Sequence, residues 1–145
     1  MTAIQSNLEI AINLLKKGEE KKASIAFKKV LQENENEPIA LEYFAVKEIK
    51  KRNFSYAIKL LSRAIKQPQC RPSALFQMGH ALRDNGEIMK AEKVYSKYFS
   101  IIQSHDAAIT YSDVLIRLLK YDKANDILTF AMTKKPKDIK TLSML

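Results

Sequence analysis

Glycine and proline are scarce in this chain, with 3 and 4 copies among 145 residues. So few chain breakers exclude a loop-rich or disordered protein and favour long helices joined by short connections. Tryptophan is absent, and a single cysteine, Cys70, excludes an internal disulfide framework. That usage is compatible with a reducing, cytoplasmic setting, which is the expected location. No apolar run approaches the roughly 18 residues of a membrane span. In the opening stretch MTAIQSNLEIAINLLKKGEEKK the positive charges follow the apolar part and acidic residues interrupt it. A secretory leader has the opposite order, so this stretch reads as a first helix. No phosphate-cradling glycine loop, HExxH pair or nucleophile elbow occurs. Acidic residues are also in deficit, 16 against 25 basic ones, for a net charge of +9. A charge of that sign favours acidic partners: acidic peptides, nucleic acid or anionic lipid. The excess is spread along the chain, with 14 basic and 8 acidic residues up to Pro72 and 11 and 8 after it. It therefore forms no basic arm and reads as solvated surface rather than a nucleic-acid footprint, so a nucleic-acid partner is not expected.

What the sequence does contain is a fixed step. Ala23, Ala57, Ala91 and Ala124 are separated by 34, 34 and 33 residues. The text around them recurs as EEKKASIAFKKVL, NFSYAIKLLSRAI, EIMKAEKVYSKYF and YDKANDILTFAMT. Four positions later stand Phe27, Leu61, Tyr95 and Leu128, and three further on Val30, Ala64, Tyr98 and Ala131. A spacing of four and then three keeps these residues on one helical face. The small residue lets another helix approach, and the larger ones fill the space beyond.

Taken in order, the repeats span about 4–37, 38–71, 72–104 and 105–138, followed by 139–145. Each reads as two helices and a turn. In the first, Gly18 suits a left-handed turn and NENEP ends the second helix. In the second, Pro38 suits a first helical turn, and the turn KKRN has no glycine. Arg52 or Asn53 must close it, and Asn is the better-tolerated left-handed residue. In the third, Gly86 marks the turn, while Gly79 sits mid-helix at a cost of about 1 kcal/mol against alanine. A close helix approach would explain that glycine. In the fourth, which starts near His105 or Asp106, Asp106 is the expected N-cap and Pro136 the expected stop. The last segment, KDIKTLSML, reads as the opening of a capping helix.

These residues resemble the tetratricopeptide repeat, a helix pair of about 34 residues with a small residue early in the second helix. The matching elements are Ala23/Phe27, Phe54/Ala57/Leu61/Ala64, Met78/Gly79/Leu82/Ala91/Tyr95 and Tyr121/Ala124/Leu128/Ala131/Pro136. Four copies cover nearly the whole chain. The departures are Ala11 where glycine is common, Tyr98 where a small residue is usual, and the missing tryptophan. The resemblance implies an all-α, right-handed superhelical solenoid of antiparallel helix pairs. Its first helices would line a concave groove that holds a peptide or protein segment, without chemistry, metal or cofactor.

By the family pattern that groove holds Gln5, Leu8, Glu9, Ile12 and Lys16, then Glu42, Tyr43, Val46, Ile49 and Lys50. It continues with Phe76, Gln77, His80, Arg83 and Asp84, then Ile109, Thr110, Asp113, Ile116 and Arg117. The sharpest candidates are Lys16, Tyr43, Lys50, Phe76, His80, Arg83, Asp113 and Arg117. Apolar patches beside cations suit a peptide with apolar anchors and acidic character. Chaperone-tail binding is not expected, because Leu8, Ile12, Glu42 and Val46 stand where family members clamp a terminal carboxylate with Lys and Asn.

The remaining features read more plainly. His80 and Asp84 are spaced to pair on one helix, but no second cluster supports catalysis or metal binding. His80 is instead a hydrogen-bonding residue of the groove, His105 a residue at a helix start, and Cys70 an inert loop thiol. Phe27, Phe44, Tyr95, Tyr98 and Phe99 fall at core spacing. The sequence thus predicts a non-enzymatic protein-binding scaffold. The alternatives are a targeting or oligomerisation domain of a larger enzyme such as a transferase, suggested by the apolar end of KDIKTLSML, and, more weakly, an RNA-binding helical repeat. Met132, Leu142 and Leu145 mark the C-terminal end as a surface for homo-oligomer formation.

Overall fold

The computed structural model describes residues 3–134, and the side chains of 7–133. Pro136, the segment 139–145 with Leu142, Met144 and Leu145, and the side chain of Gln5 lie outside the described residues. Among those described there are eight α-helices and no strand. They are α1 (Ala3–Lys16), α2 (Glu20–Glu33), α3 (Pro38–Lys50), α4 (Phe54–Ala64), α5 (Pro72–Asp84), α6 (Ile88–Ile101), α7 (His105–Arg117) and α8 (Tyr121–Lys134). None is long and apolar enough to cross a membrane. Three-residue turns join α1 to α2, α3 to α4, α5 to α6 and α7 to α8, so each pair packs antiparallel.

The four turns are one structure repeated. The chain takes a positive φ at Gly18, Arg52, Gly86 and Leu119, at the same 34, 34 and 33 residue steps as the alanines. Each is closed by two backbone bonds of the Schellman type. In the first, the Gly18 N–H donates to Leu15 and the Glu19 N–H to Leu14. In the second, Arg52 donates to Ile49 and Asn53 to Glu48. The left-handed residue of this turn is therefore Arg52, not Asn53. Asn53 lies one place further on, where the chain has returned to negative φ. Register, not residue preference, decides the position: the last turn of α3 presents the Ile49 and Glu48 carbonyls to those two amides.

The loops between pairs differ from one another. Pro38 enters α3 at its first turn, and the Glu37 side chain accepts from the Ile39 N–H at 3.0 Å. Ser104, not Asp106, caps α7, its hydroxyl accepting from the Ala107 N–H at 3.1 Å. Asp106 falls within the first turn, where its charge favours the helix dipole.

Ala23, Ala57, Ala91 and Ala124 are at most 2% exposed, and Phe27, Leu61, Tyr95 and Leu128 are buried beside them. Tyr98, at the usually small position, is half-buried and stacks on Phe76 with ring centres 4.6 Å apart. Burying each large side chain contributes about 1.5–3 kcal/mol, so these faces hold the pairs together. The helices cluster as two compact units dividing between Arg71 and Pro72, each with two helix pairs. In the first unit α2 also meets α3, and Ala11, Phe27, Val30, Ala40 and Tyr43 form one core. In the second, α6 meets α7, and Ala108, Ile109, Leu128 and Ala131 do the same.

Candidate functional site

Six of the sequence-predicted groove residues, Ile12, Lys16, Glu42, Tyr43, Val46 and Lys50, line one cavity of about 380 Å³ in the first unit, and Lys16, Tyr43 and Lys50 among them are sharpest candidates. Its apolar wall comes from Ile12 and Leu15 of α1, Phe27 of α2, and Ile39 and Val46 of α3. The spacing of Ile39, Tyr43, Val46 and Lys50 places one residue per turn of α3 on that wall. Glu20, Glu42, Lys47 and Arg71 supply the rest of its polar lining.

Tyr43 is the hinge of this arrangement. Its ring stacks on Phe27 at 4.2 Å and meets Phe44 edge-on at 5.0 Å, which makes it mostly core. Its hydroxyl donates to Glu20 Oε1 at 2.5 Å. Burial, then the bond to Glu20, pushes the phenol up to about 12, so it stays a donor at neutral pH. The Tyr43 hydroxyl in turn holds the Glu20 carboxyl below the usual range, with help from Lys47 and Lys50. Lys47 Nζ lies 3.4 Å from Glu20 and 3.4 Å from the Tyr43 hydroxyl. Buried Glu42 pairs with Arg71 at 3.3 Å. The two acids of the cavity are thus each held by one cation. Lys16 and Lys50 stand exposed at its edge, with no ion pair among the described residues.

The other predicted residues form a second set, in the second unit. Phe76 is packed rather than presented: it lies edge-on to His80 at 4.3 Å and stacks on Tyr98. His80 Nδ1 and the Tyr95 hydroxyl are hydrogen-bonded at 2.6 Å. The spacing that would let His80 pair with Asp84 is not used. Asp84 accepts from Arg83 Nε at 2.9 Å instead. Burial, then the nearby Arg83 charge, takes His80 down to about 4, so the ring is neutral near pH 7. Arg117 pairs with Asp113 at 3.1 Å across one helical turn. Arg83, Asp113 and Arg117 therefore form a polar surface, with His80 and Phe76 packed around Tyr95.

His105 opens α7 beside Asp106 at 3.6 Å, and Cys70 contacts the Arg71 carbonyl at 3.4 Å. No group of His, Cys, Asp and Glu among the described residues could hold a metal. Reasoning from sequence missed Glu20, Lys47 and Arg71 as members of the first cavity. Lys47 carried a signal, since it lies four residues after Tyr43 on the same face. Glu20 and Arg71 carried none, because only packing brings the start of α2 and an interrepeat loop to that wall.

No protein-family model and no curated protein matches the chain. Solved structures do. The crystal structure of MamA protein matches with a TM-score of 0.78 at 20% identity, covering 97% of this chain and 78% of that one. YrrB, a TPR protein with an unusual peptide-binding site, matches at 0.81 and 13% identity, covering 93% and 70%. The Cut9–Hcn1 hetero-tetramer of APC/C matches at 0.78 and 15% identity, covering all of this chain and 30% of that one. With its eight described helices in four antiparallel pairs and one turn geometry repeated at the same step, this chain has the all-α helical-repeat fold of the tetratricopeptide-repeat proteins.

Proposed function

We propose that the chain is a protein-interaction module without chemistry of its own. In this reading, the cavity of the first unit takes an apolar side chain of a partner segment. A carboxylate beside that side chain meets Lys16 and Lys50. One observation carries it: an apolar wall whose two acids are already paired, with two lysines left at the edge. An apolar anchor in such a cavity contributes about 1.5–3 kcal/mol. Exposed charge pairs add less than about 1 kcal/mol each. The anchor therefore supplies most of the affinity, and the lysines select an acidic neighbour. Two similar structures favour the same function: YrrB has an unusual peptide-binding site, and Cut9–Hcn1 is a multi-chain complex. In the second unit, Arg83, Asp113 and Arg117 are proposed as polar contacts for a partner, with Phe76 and His80 as their support.

The test is selection of peptides from a random library on the whole chain, followed by calorimetry. Selected peptides should combine an apolar residue with Asp or Glu. They should lose about tenfold in affinity to a Val46→Arg variant, whose side chain fills the cavity. Peptides that bind Val46→Arg and the wild type equally would count against this site.

A further inference from the structure

In the first three pairs the basic excess is not shared evenly between the two helices. α2 carries four lysines against two glutamates, α4 carries Lys59 and Arg63 with no acid, and α6 carries three lysines against Glu92. By contrast α1, α3 and α5 each balance their charges. Side-chain direction sharpens the difference. Both acids of α2 turn onto neighbouring helices: Glu20 to Tyr43 and Lys47, and Glu33 to Asn7 at 2.7 Å. Glu92 of α6 likewise turns to Lys120, at 2.5 Å. The lysines of α2 and α6 are left facing solvent.

On α2 they surround an apolar residue. Ile25 is 59% exposed. Lys21, Lys22, Lys28 and Lys29 stand three and four places before and after it, all exposed. At about 100° per residue, all four lie within about 60° of Ile25 on the wheel, and neither acid does. Among the described residues only Lys22 of the four has a pairing acid, Glu19 at 3.8 Å. Exposed Tyr56 with Lys59 and Arg63 on α4 repeats the arrangement, and in the second unit so does exposed Met89 with Lys93 and Lys97 on α6.

We propose that the solvent-facing side of α2, centred on Ile25 and its four lysines, docks on an anionic lipid surface. Lysine is a compact charge suited to the diffuse field of acidic headgroups. An aliphatic residue at its centre enters the headgroup boundary, as on helices that lie along a membrane. Nucleic acid fits less well. Of the basic residues on these faces only Arg63 has a guanidinium, and it is bound to the Glu35 carbonyl and Asn36 Oδ1. Ile25, at the centre of the α2 face, also offers no ring on which a base could stack, and Tyr56 on α4 is the one exposed ring among the three faces. The surface is separate from the cavity and does not depend on it.

The test is co-sedimentation of the whole chain with vesicles of phosphatidylcholine alone or with added phosphatidylserine. Binding should require phosphatidylserine and be lost as salt rises from about 0.05 M to about 0.5 M, where the screening length shortens severalfold. Each lysine reversed among Lys21→Glu, Lys28→Glu and Lys29→Glu should weaken binding about fivefold or more. Ile25→Ser should weaken it severalfold, and Lys16→Ala with Lys50→Ala should change it little. Circular dichroism confirms that each variant is folded. No sedimentation with phosphatidylserine vesicles at low salt would overturn the proposal. So would equal binding by the folded charge-reversal variant, or single-stranded RNA binding lost in that variant without any vesicle binding.

Discussion

Gly79 of α5 lies directly under the ring of Tyr95 of α6. A Cβ built on Gly79 would sit 2.4 Å from Tyr95 Cε1, 2.7 Å from Cδ1 and 2.8 Å from Cζ. No carbon pair tolerates such distances, so the mid-helix glycine is the space that Tyr95 occupies. Tyr95 is 1% exposed and held by His80, which leaves the ring nowhere to move.

Gly79→Ala therefore pits two effects against each other. Alanine gains about 1 kcal/mol of helix propensity. Overpacking a fixed ring costs about 1–3 kcal/mol. The clash is severe, so the net is expected to be a loss of about 1–2 kcal/mol in urea unfolding. Gly79→Ala with Tyr95→Leu should be more stable than Gly79→Ala alone. A stabilised single variant would show that the ring moves freely.

The repeated turn gives a prediction of the opposite sign. Leu119 adopts φ 61° and is 70% exposed, so its side chain contributes little packing while its backbone is in the left-handed region. That conformation costs a non-glycine residue about 1–2 kcal/mol. Glycine gives part of this back through greater freedom in the unfolded chain. Leu119→Gly should thus stabilise by roughly 0.5–1 kcal/mol, read as a rise in Tm. Arg52→Gly should gain less, because Arg52 also lies over the Phe54 ring at 5.3 Å.

His80 makes stability depend on pH. Its folded pKa, about 4, is below the ordinary 6.5, so the unfolded chain binds the proton first. Its contribution is full above pH 6.5 and is lost as pH falls through 6.5 towards 4, reaching on the order of 3 kcal/mol. Glu20 and Glu87, both held below the usual carboxyl range, act in the same direction at lower pH. The difference between wild type and His80→Gln isolates the imidazole. Wild type should lose more stability than the variant between pH 7 and pH 4.5, and parallel curves would contradict the assignment.

Ser104 supplies the side-chain cap of α7. Ser104→Ala should cost about 1 kcal/mol in unfolding free energy, whereas Asp106→Ala should cost only the few tenths typical of an exposed dipole interaction.

Ala23, Ala57, Ala91 and Ala124 were legible because a helix contact leaves a size requirement in the residue itself. Phe27, Tyr95 and Leu128 were legible for the same reason. Arg52 and Leu119 were not, since register imposes their backbone conformation and their side chains say nothing of it. Asp106 was the expected cap, but α7 begins at His105, which makes Ser104 the capping residue and places Asp106 inside the first turn. Of the cavity lining, Tyr43 and the lysines at positions 16 and 50 were named through the family pattern, which repeats the same helix positions in each pair. Glu20 and Arg71 could not, because one opens α2 and the other lies in a loop, and only packing brings them to α3. Tyr95, rather than Asp84, partners His80, a contact between helices that spacing along one helix cannot show.

The most direct measurement is a titration of the isotope-labelled chain with an apolar–acidic peptide obtained by selection, followed by NMR. Shift changes should concentrate at Ile12, Lys16, Tyr43, Val46 and Lys50, be weakened by Lys16→Ala with Lys50→Ala, and be strengthened by Glu20→Gln, which releases Lys47 from its ion pair. Saturable binding whose shifts avoid these five residues would contradict the cavity as the binding site.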